Sequence, residues 1–198
     1  MAKLSGKKVA IVVTDGFEQV EMTEPRKALE AEGAETEIVS PKEDVVKGWK
    51  HTEWGDTFDV DVPIGEANPD DYDALLLPGG QMNPDQLRLE PEVISFVRQF
   101  FDASKPVAAI CHGPWILIDA GVLEGRRVTS WPSIRIDLQN AGAEVVDEEV
   151  VVDKGLVTSR KPEDIPAFNR KMIEEIAEGL HDEAHRAARA KARRGAAP

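Results

Sequence analysis

A single cysteine, Cys111, stands in the whole chain, so no disulfide can form within it. That scarcity suits a reducing compartment and leaves open only a bridge to another chain. Long apolar runs are missing. None approaches the ~20 residues that a membrane helix needs, and residues 1–8 lack the layout of a secretion signal, so a soluble, cytoplasmic protein with no membrane partner is expected. Basic charge is scarce: 24 Lys and Arg face 37 Asp and Glu, for a formal net charge of −13, which argues against general affinity for nucleic acid. The bases are also unevenly placed. Residues 186–198 hold Arg186, Arg189, Lys191, Arg193 and Arg194 without an acid, and read either as a solvated, frayed helix end or as a nucleic-acid or membrane contact. Nucleotide fingerprints are lacking too, because Gly79-Gly80 is not followed by the Lys-Ser/Thr of a phosphate loop and no GxGxxG follows a strand.

The segments that are present alternate. Apolar runs of strand length at 9–13, 74–77 and 107–110 lack polar alternation, as in strands buried on both faces. Residues 35–40 read as a further strand, 49–62 as a hairpin on the sheet edge, 127–130 as another strand, and 144–159 as a strand and a hairpin around Lys154-Gly155. Helices are expected over 17–32 with Pro25 in the first turn and Gly33 as the stop, over 92–103, over 134–141, and from 162 to about 189. With 198 residues, this alternation predicts one α/β domain: a mostly parallel sheet with helices on both faces and a core spanning 8–180. Ligands of such sheets bind beyond the carboxyl ends of the strands.

Three loops converge at that end. The first is the acid-rich turn carrying Glu18 and Glu21, the second is Gly79-Gly80, and the third is Cys111 itself, where an apolar strand meets His112-Gly113-Pro114. A thiol at a strand-to-helix turn faces unpaired N–H groups and the positive end of a helix dipole, which favour the nucleophilic thiolate. The same position also suits a small buried hydrophobe. Glu18 and Glu21, three apart, can share a face and aim a carboxyl group at the thiol, or stand as solvated helix-start acids. The N–H groups of Gly80 and His112 are candidates for an oxyanion hole, while Gly79-Gly80 is equally an ordinary tight turn. Side chains of neighbouring residues usually diverge, so a Cys111–His112 pair is not expected from adjacency. Trp49, Trp54, Trp115 and Trp131 are open to core or interface roles. His181 and His185 have zinc-ligand spacing, but Asp182 stands where a zinc peptidase needs glutamate, so neither a metal nor another cofactor is expected.

Residues 75–80 (LLLPGG), 109–114 (AICHGP), 149–153 and 158–160 (TSR) resemble the PfpI family of the class I glutamine-amidotransferase-like superfamily, over about residues 8–180. The resemblance implies a flavodoxin-like sandwich. Its members are described as intracellular cysteine peptidases, as deglycases that repair methylglyoxal- or glyoxal-modified proteins, and as general stress proteins. It further implies Cys111 as nucleophile, Glu21 as the acid contacting the thiol, and Glu18 with Gly79 and Gly80 in the substrate pocket. His112 would complete a triad with Asp85 of a neighbouring subunit, so that the active form is a homodimer or larger homo-oligomer. Asp85 is shorter than the glutamate of some members, and Trp131 replaces a pocket tyrosine, removing a phenol and adding bulk. The expected activity is cysteine-dependent repair of carbonyl adducts, deglycase or glyoxalase-like, acting on a small carbonyl or a modified protein. Peptide hydrolysis and a non-catalytic redox sensor are the competing readings.

Overall fold

The computed structural model describes residues 2–180, so His181, His185 and the basic tail lie outside the described residues. Strand β1 (Lys8–Val12) leads through a two-residue strand, β2 (Phe17–Glu18), into helix α1 (Gln19–Ala31). Next come β3 (Glu35–Ser40), the hairpin of β4 (Val45–Lys50) and β5 (Glu53–Asp59), and the short β6 (Val62–Pro63). Strand β7 (Ala74–Leu77) precedes α2 (Met82–Leu87) and α3 (Pro91–Asp102). Strand β8 (Val107–Ile110) runs into a 3-10 turn and α4 (Ile116–Asp119). The described chain ends with β9 (Arg127–Val128), α5 (Arg135–Asn140), β10 (Glu144–Val145), the hairpin of β11 (Val150–Asp153) and β12 (Leu156–Ser159), and α6 (Ile165–Glu178).

Seven strands form the main sheet in the order β11-β12-β8-β7-β1-β3-β6, parallel except for the β11–β12 hairpin. The apolar runs explain the layering. Along β1, Ala10 and Val12 face a core built with Val97 and Phe100 of α3, while Val9 and Ile11 face one built with Leu29 of α1 and Phe168 of α6. Every side chain of β7, β8 and β12 is thus withdrawn from water, as in a helix-covered, flavodoxin-like sandwich. Chain order reverses at β1, which has β7 on one side and β3 on the other. The loops after β1, β7 and β8 therefore open into one crevice. No helix among the described residues is long and apolar enough to cross a membrane.

The sequence expectations need four corrections. The hairpin begins at Val45 and is not an edge of the main sheet: with β2 it forms a separate three-stranded sheet, because β4 pairs with Phe17–Glu18. Strand β9 pairs only with β10, outside the main sheet. Pro25 lies inside α1 as its seventh residue, where it has no N–H to give the carbonyl of Glu21. The last helix starts at Ile165 after a 3-10 turn and has its C-cap at Gly179, so the expected continuation beyond 180 lies outside the described residues.

Candidate active site

Cys111 is held in a backbone conformation that side chains normally avoid. Its φ is 62°, in the left-handed region, where a residue with a Cβ is strained by about 1–2 kcal/mol. Both backbone groups are pinned: the N–H donates to Ser159 O at 3.0 Å, and the carbonyl accepts from Trp131 N at 2.9 Å. The turn must also press close to the neighbouring strand. A Cβ on Gly113 would collide with the carbonyl oxygen of Leu77, so only glycine fits there.

The left-handed turn brings together side chains that adjacency alone would separate. His112 Nδ1 lies 3.2 Å from Cys111 Sγ, a pair that sequence reasoning did not expect. Its Nε2 is 3.3 Å from Ser133 Oγ, and its ring stacks on Trp131 at 5.7 Å. With its proton on Nε2, the imidazole donates to Ser133 and presents a bare Nδ1 to the thiol. Burial lowers the His112 pKa to about 4, so the ring is neutral near pH 7.

Glu21 reaches the thiol from α1 and is fully buried. Its Oε2 accepts from the Gly79 N–H at 3.0 Å, while Oε1 has no partner that meets hydrogen-bond geometry. Burial raises the Glu21 pKa to about 8; its interaction with Cys111 and the amides of Gly79 and Gly80 work against that rise. Glu21 is therefore an acid rather than a carboxylate at neutral pH. Burial also pushes the Cys111 thiol up, followed by the charge of Glu21, whereas the amides of Gly80 and His112 pull it down. This corrects the expectation of a helix-favoured thiolate: the helical segment after Cys111 is only a 3-10 turn and four α-helical residues, too short for a sizeable dipole. The second upward influence on the thiol vanishes once Glu21 carries its proton.

Gly79 and Gly80 are required by packing. A Cβ on Gly79 would lie 2.5 Å from Glu21 Oε2 and 2.7 Å from Cys111 Cβ, and Gly80 has a φ of 81°. Asn83 locks this turn, donating to the carbonyls of Pro78 and Gly79 at 3.0 and 3.2 Å and accepting from Thr14 N at 2.8 Å. The result is an open cleft of about 430 Å³ with Cys111 at its floor, walled by Glu18, Trp49, His51 and Trp131. Asn83, Ser133, Trp49 and His51 were not identified from sequence as site residues. Asp85 sits on the exposed side of α2 and does not line the cleft of its own chain. No cluster of metal-ligating side chains occurs among the described residues.

A parallel α/β sandwich that presents a strained cysteine at a strand-to-helix turn, with an acid and two amides aimed at its sulfur, has the build of a nucleophile-elbow protein. Comparison with known proteins agrees. The chain belongs to the DJ-1/PfpI family, whose model matches residues 7–175. It is 51% identical over 170 residues to general stress protein 18 of Bacillus subtilis, covering 85% of this chain and 96% of that one. Among solved structures it resembles a two-domain protein from Anabaena variabilis with DJ-1/ThiJ/PfpI-like and ferritin-like domains (TM-score 0.81, 35% identity). That match covers 86% of this chain and 48% of the other, so the chain spans about half the length of that protein. Drosophila melanogaster DJ-1beta matches with a TM-score of 0.78 and 26% identity over 91% of this chain and 94% of that one.

Proposed function

We propose that the protein is a stress-protective, cysteine-dependent enzyme that repairs small carbonyl adducts, those of methylglyoxal or glyoxal, in a deglycase or glyoxalase-like hydrolysis. The observation that carries this reading is the convergence of a thiol, a protonated acid and two amides on the floor of one small cleft. Relationship to a general stress protein supports the physiological side. The chemistry follows from the groups present. Sulfur adds to the aldehyde carbon of methylglyoxal, or displaces the amine of its adduct, while the thiol proton passes to His112 Nδ1 and, in the second case, on to the nitrogen that leaves as the free amine. Glu21 gives its proton to the carbonyl oxygen, and the amides of Gly80 and His112 bind the charge that develops there. Hydrogen then moves from C1 to C2 through an enediol, and water cleaves the resulting lactoyl thioester. Lactate and the free thiol are the products, so the sum is methylglyoxal plus water.

The imidazolium formed in the first step is disfavoured where it stands, because burial holds His112 neutral. Asp85 of a second copy, docked over the cleft, would supply the missing negative charge, and we propose a homo-oligomer on that ground. A cleft of about 430 Å³ has room for a small head group. The test incubates wild type and Cys111→Ser with methylglyoxal-treated protein and, separately, with a fluorogenic peptide. Lactate release that requires Cys111 is expected. Lactate release surviving in the variant would defeat the proposal, and cleavage of the peptide alone would make the protein a peptidase. Stoichiometric oxidation of Cys111 by mild peroxide with no turnover of either substrate would make it a sensor.

A further inference from the structure

The charges around the cleft balance everywhere but at one wall. Lys161 and Glu163 on the rim face each other, Nζ to Oε2 at 3.8 Å, and cancel locally. Glu21 on the floor is protonated near neutral pH. What remains is the carboxylate of Glu18, half-buried on β2, with the backbone N–H and imidazole of His51 as its neighbours. Among the described residues no Lys or Arg pairs with it. Two indoles stand beside it. Trp49 is the cross-strand neighbour of Glu18 in the β2–β4 pairing, and Trp131 forms another wall of the same cleft.

Filling the cleft strips water from Glu18. A neutral ligand would leave that carboxylate desolvated without a counter-charge, which is costly. A flat cation replaces the lost water with a forked, charge-assisted contact and lays its face on an indole. Of the groups that react with dicarbonyls, only the arginine guanidinium is planar, forked and still positive after the adduct forms. The hemithioacetal of a cysteine is neutral. We propose that the cleft selects guanidinium-bearing carbonyl adducts, those formed on arginine side chains, over thiol-derived ones, with Glu18 as the residue that sets the preference. This inference rests on the enzymatic reading for turnover, but not for binding.

The experiment separates the two. Calorimetry measures N-acetylarginine amide, and its neutral isostere N-acetylcitrulline amide, binding to Cys111→Ala, which cannot turn over. Arginine amide should bind about tenfold more tightly than citrulline amide, and adding Glu18→Gln should erase the difference. Lys161→Gln, which uncovers Glu163, should strengthen arginine binding about two- to threefold and serves as a second probe if the Glu18 variant folds poorly. In turnover, the ratio of kcat/KM for the methylglyoxal adduct of N-acetylarginine to that of N-acetylcysteine should fall about tenfold in Glu18→Gln. Equal binding of the arginine and citrulline amides, or an unchanged ratio, would overturn the inference while leaving the enzyme assignment intact. Glu18-dependent arginine binding with no turnover of either adduct would uphold it and sink the enzyme assignment.

Discussion

Cys111 carries a strain that its neighbours sustain, since the bonds to Ser159 O and from Trp131 N hold it at a φ of 62°. Replacing the whole side chain with a methyl group keeps the Cβ and that strain, and replacing it with hydrogen removes both. Cys111→Gly should therefore be about 1 kcal/mol more stable than Cys111→Ala in urea unfolding, although glycine costs more chain entropy. Equal stabilities would mean that the turn relaxes once the thiol is gone. Glu21 stores a larger effect, tied to pH. Its pKa is about 8 when folded against an ordinary 4.5, so its contribution to stability is complete below pH 4.5 and is lost as pH rises toward 8. His112 works oppositely: lowered from 6.5 to about 4, it contributes fully above pH 6.5 and loses that contribution as pH falls toward 4. Between pH 6.5 and 8 only Glu21 is still changing. Glu21→Gln should gain on wild type there by up to about 1.4 kcal/mol per pH unit, read from urea unfolding at pH 6.5 and 8. A constant difference would show that Glu21 is already ionised in the folded protein.

The elements most legible in the sequence are those that physics leaves little choice about. Strands β1, β7 and β8 are continuous apolar runs, and a segment with no polar face can only be central in a covered sheet. The cysteine turn was marked by the Gly113-Pro114 pair that follows it. Less was legible wherever a contact is non-local. Nothing in Phe17-Glu18 announces a strand, because it pairs with Gly48-Trp49, some thirty residues later, and without that pairing the hairpin looks like an edge of the main sheet. Asn83 in the first turn of α2 and Ser133 in a 3-10 turn are single polar residues, and no pattern distinguishes the one that braces a site from the one that meets water. A positive φ at a residue other than glycine has no compositional signature, so the Cys111–His112 contact was hidden although the two residues are adjacent. The hairpin itself hangs on Gln19. Its Oε1 accepts from Asp56 N at 2.7 Å, its Nε2 donates to Asp56 Oδ2 at 2.6 Å, and Gly55 leaves it room that a Cβ would take. Gln19→Leu should remove both bonds to Asp56 and loosen the tie between α1 and the hairpin. Hydrogen exchange should then quicken across β4 and β5 while β1 and β7 stay protected, and kcat/KM should fall as Trp49 loses its fixed place. Uniform protection in the variant would show that the hairpin is anchored elsewhere.

At the scale of the whole molecule, the acidic excess and the crevice at the reversal of strand order both followed from the sequence, but whether one chain completes its own site did not. Two side chains are candidates for the far side of His112. Ser133 of the same chain is 3.3 Å from Nε2 but carries no charge, whereas Asp85 has charge but faces away from the cleft of its own chain. A serine hydroxyl can orient the ring but cannot offset an imidazolium, so the proposed completion by Asp85 makes the site a property of two chains. The consequence is complementation. Cys111→Ala and Asp85→Ala should each be nearly inactive alone. After mixing in equal amounts and re-assortment of subunits, half the sites keep their thiol and half of those meet an intact Asp85, so about a quarter of wild-type activity should return whatever the size of the oligomer. Ser133→Ala, by contrast, should lower activity without being rescued by Cys111→Ala, because its contact with His112 lies within the chain that carries the thiol. Failure of the mixture to recover activity, with subunit exchange verified by mass spectrometry of the assembled species, would mean that His112 works with Ser133 alone. The cleft of a single copy would then be the complete catalytic unit.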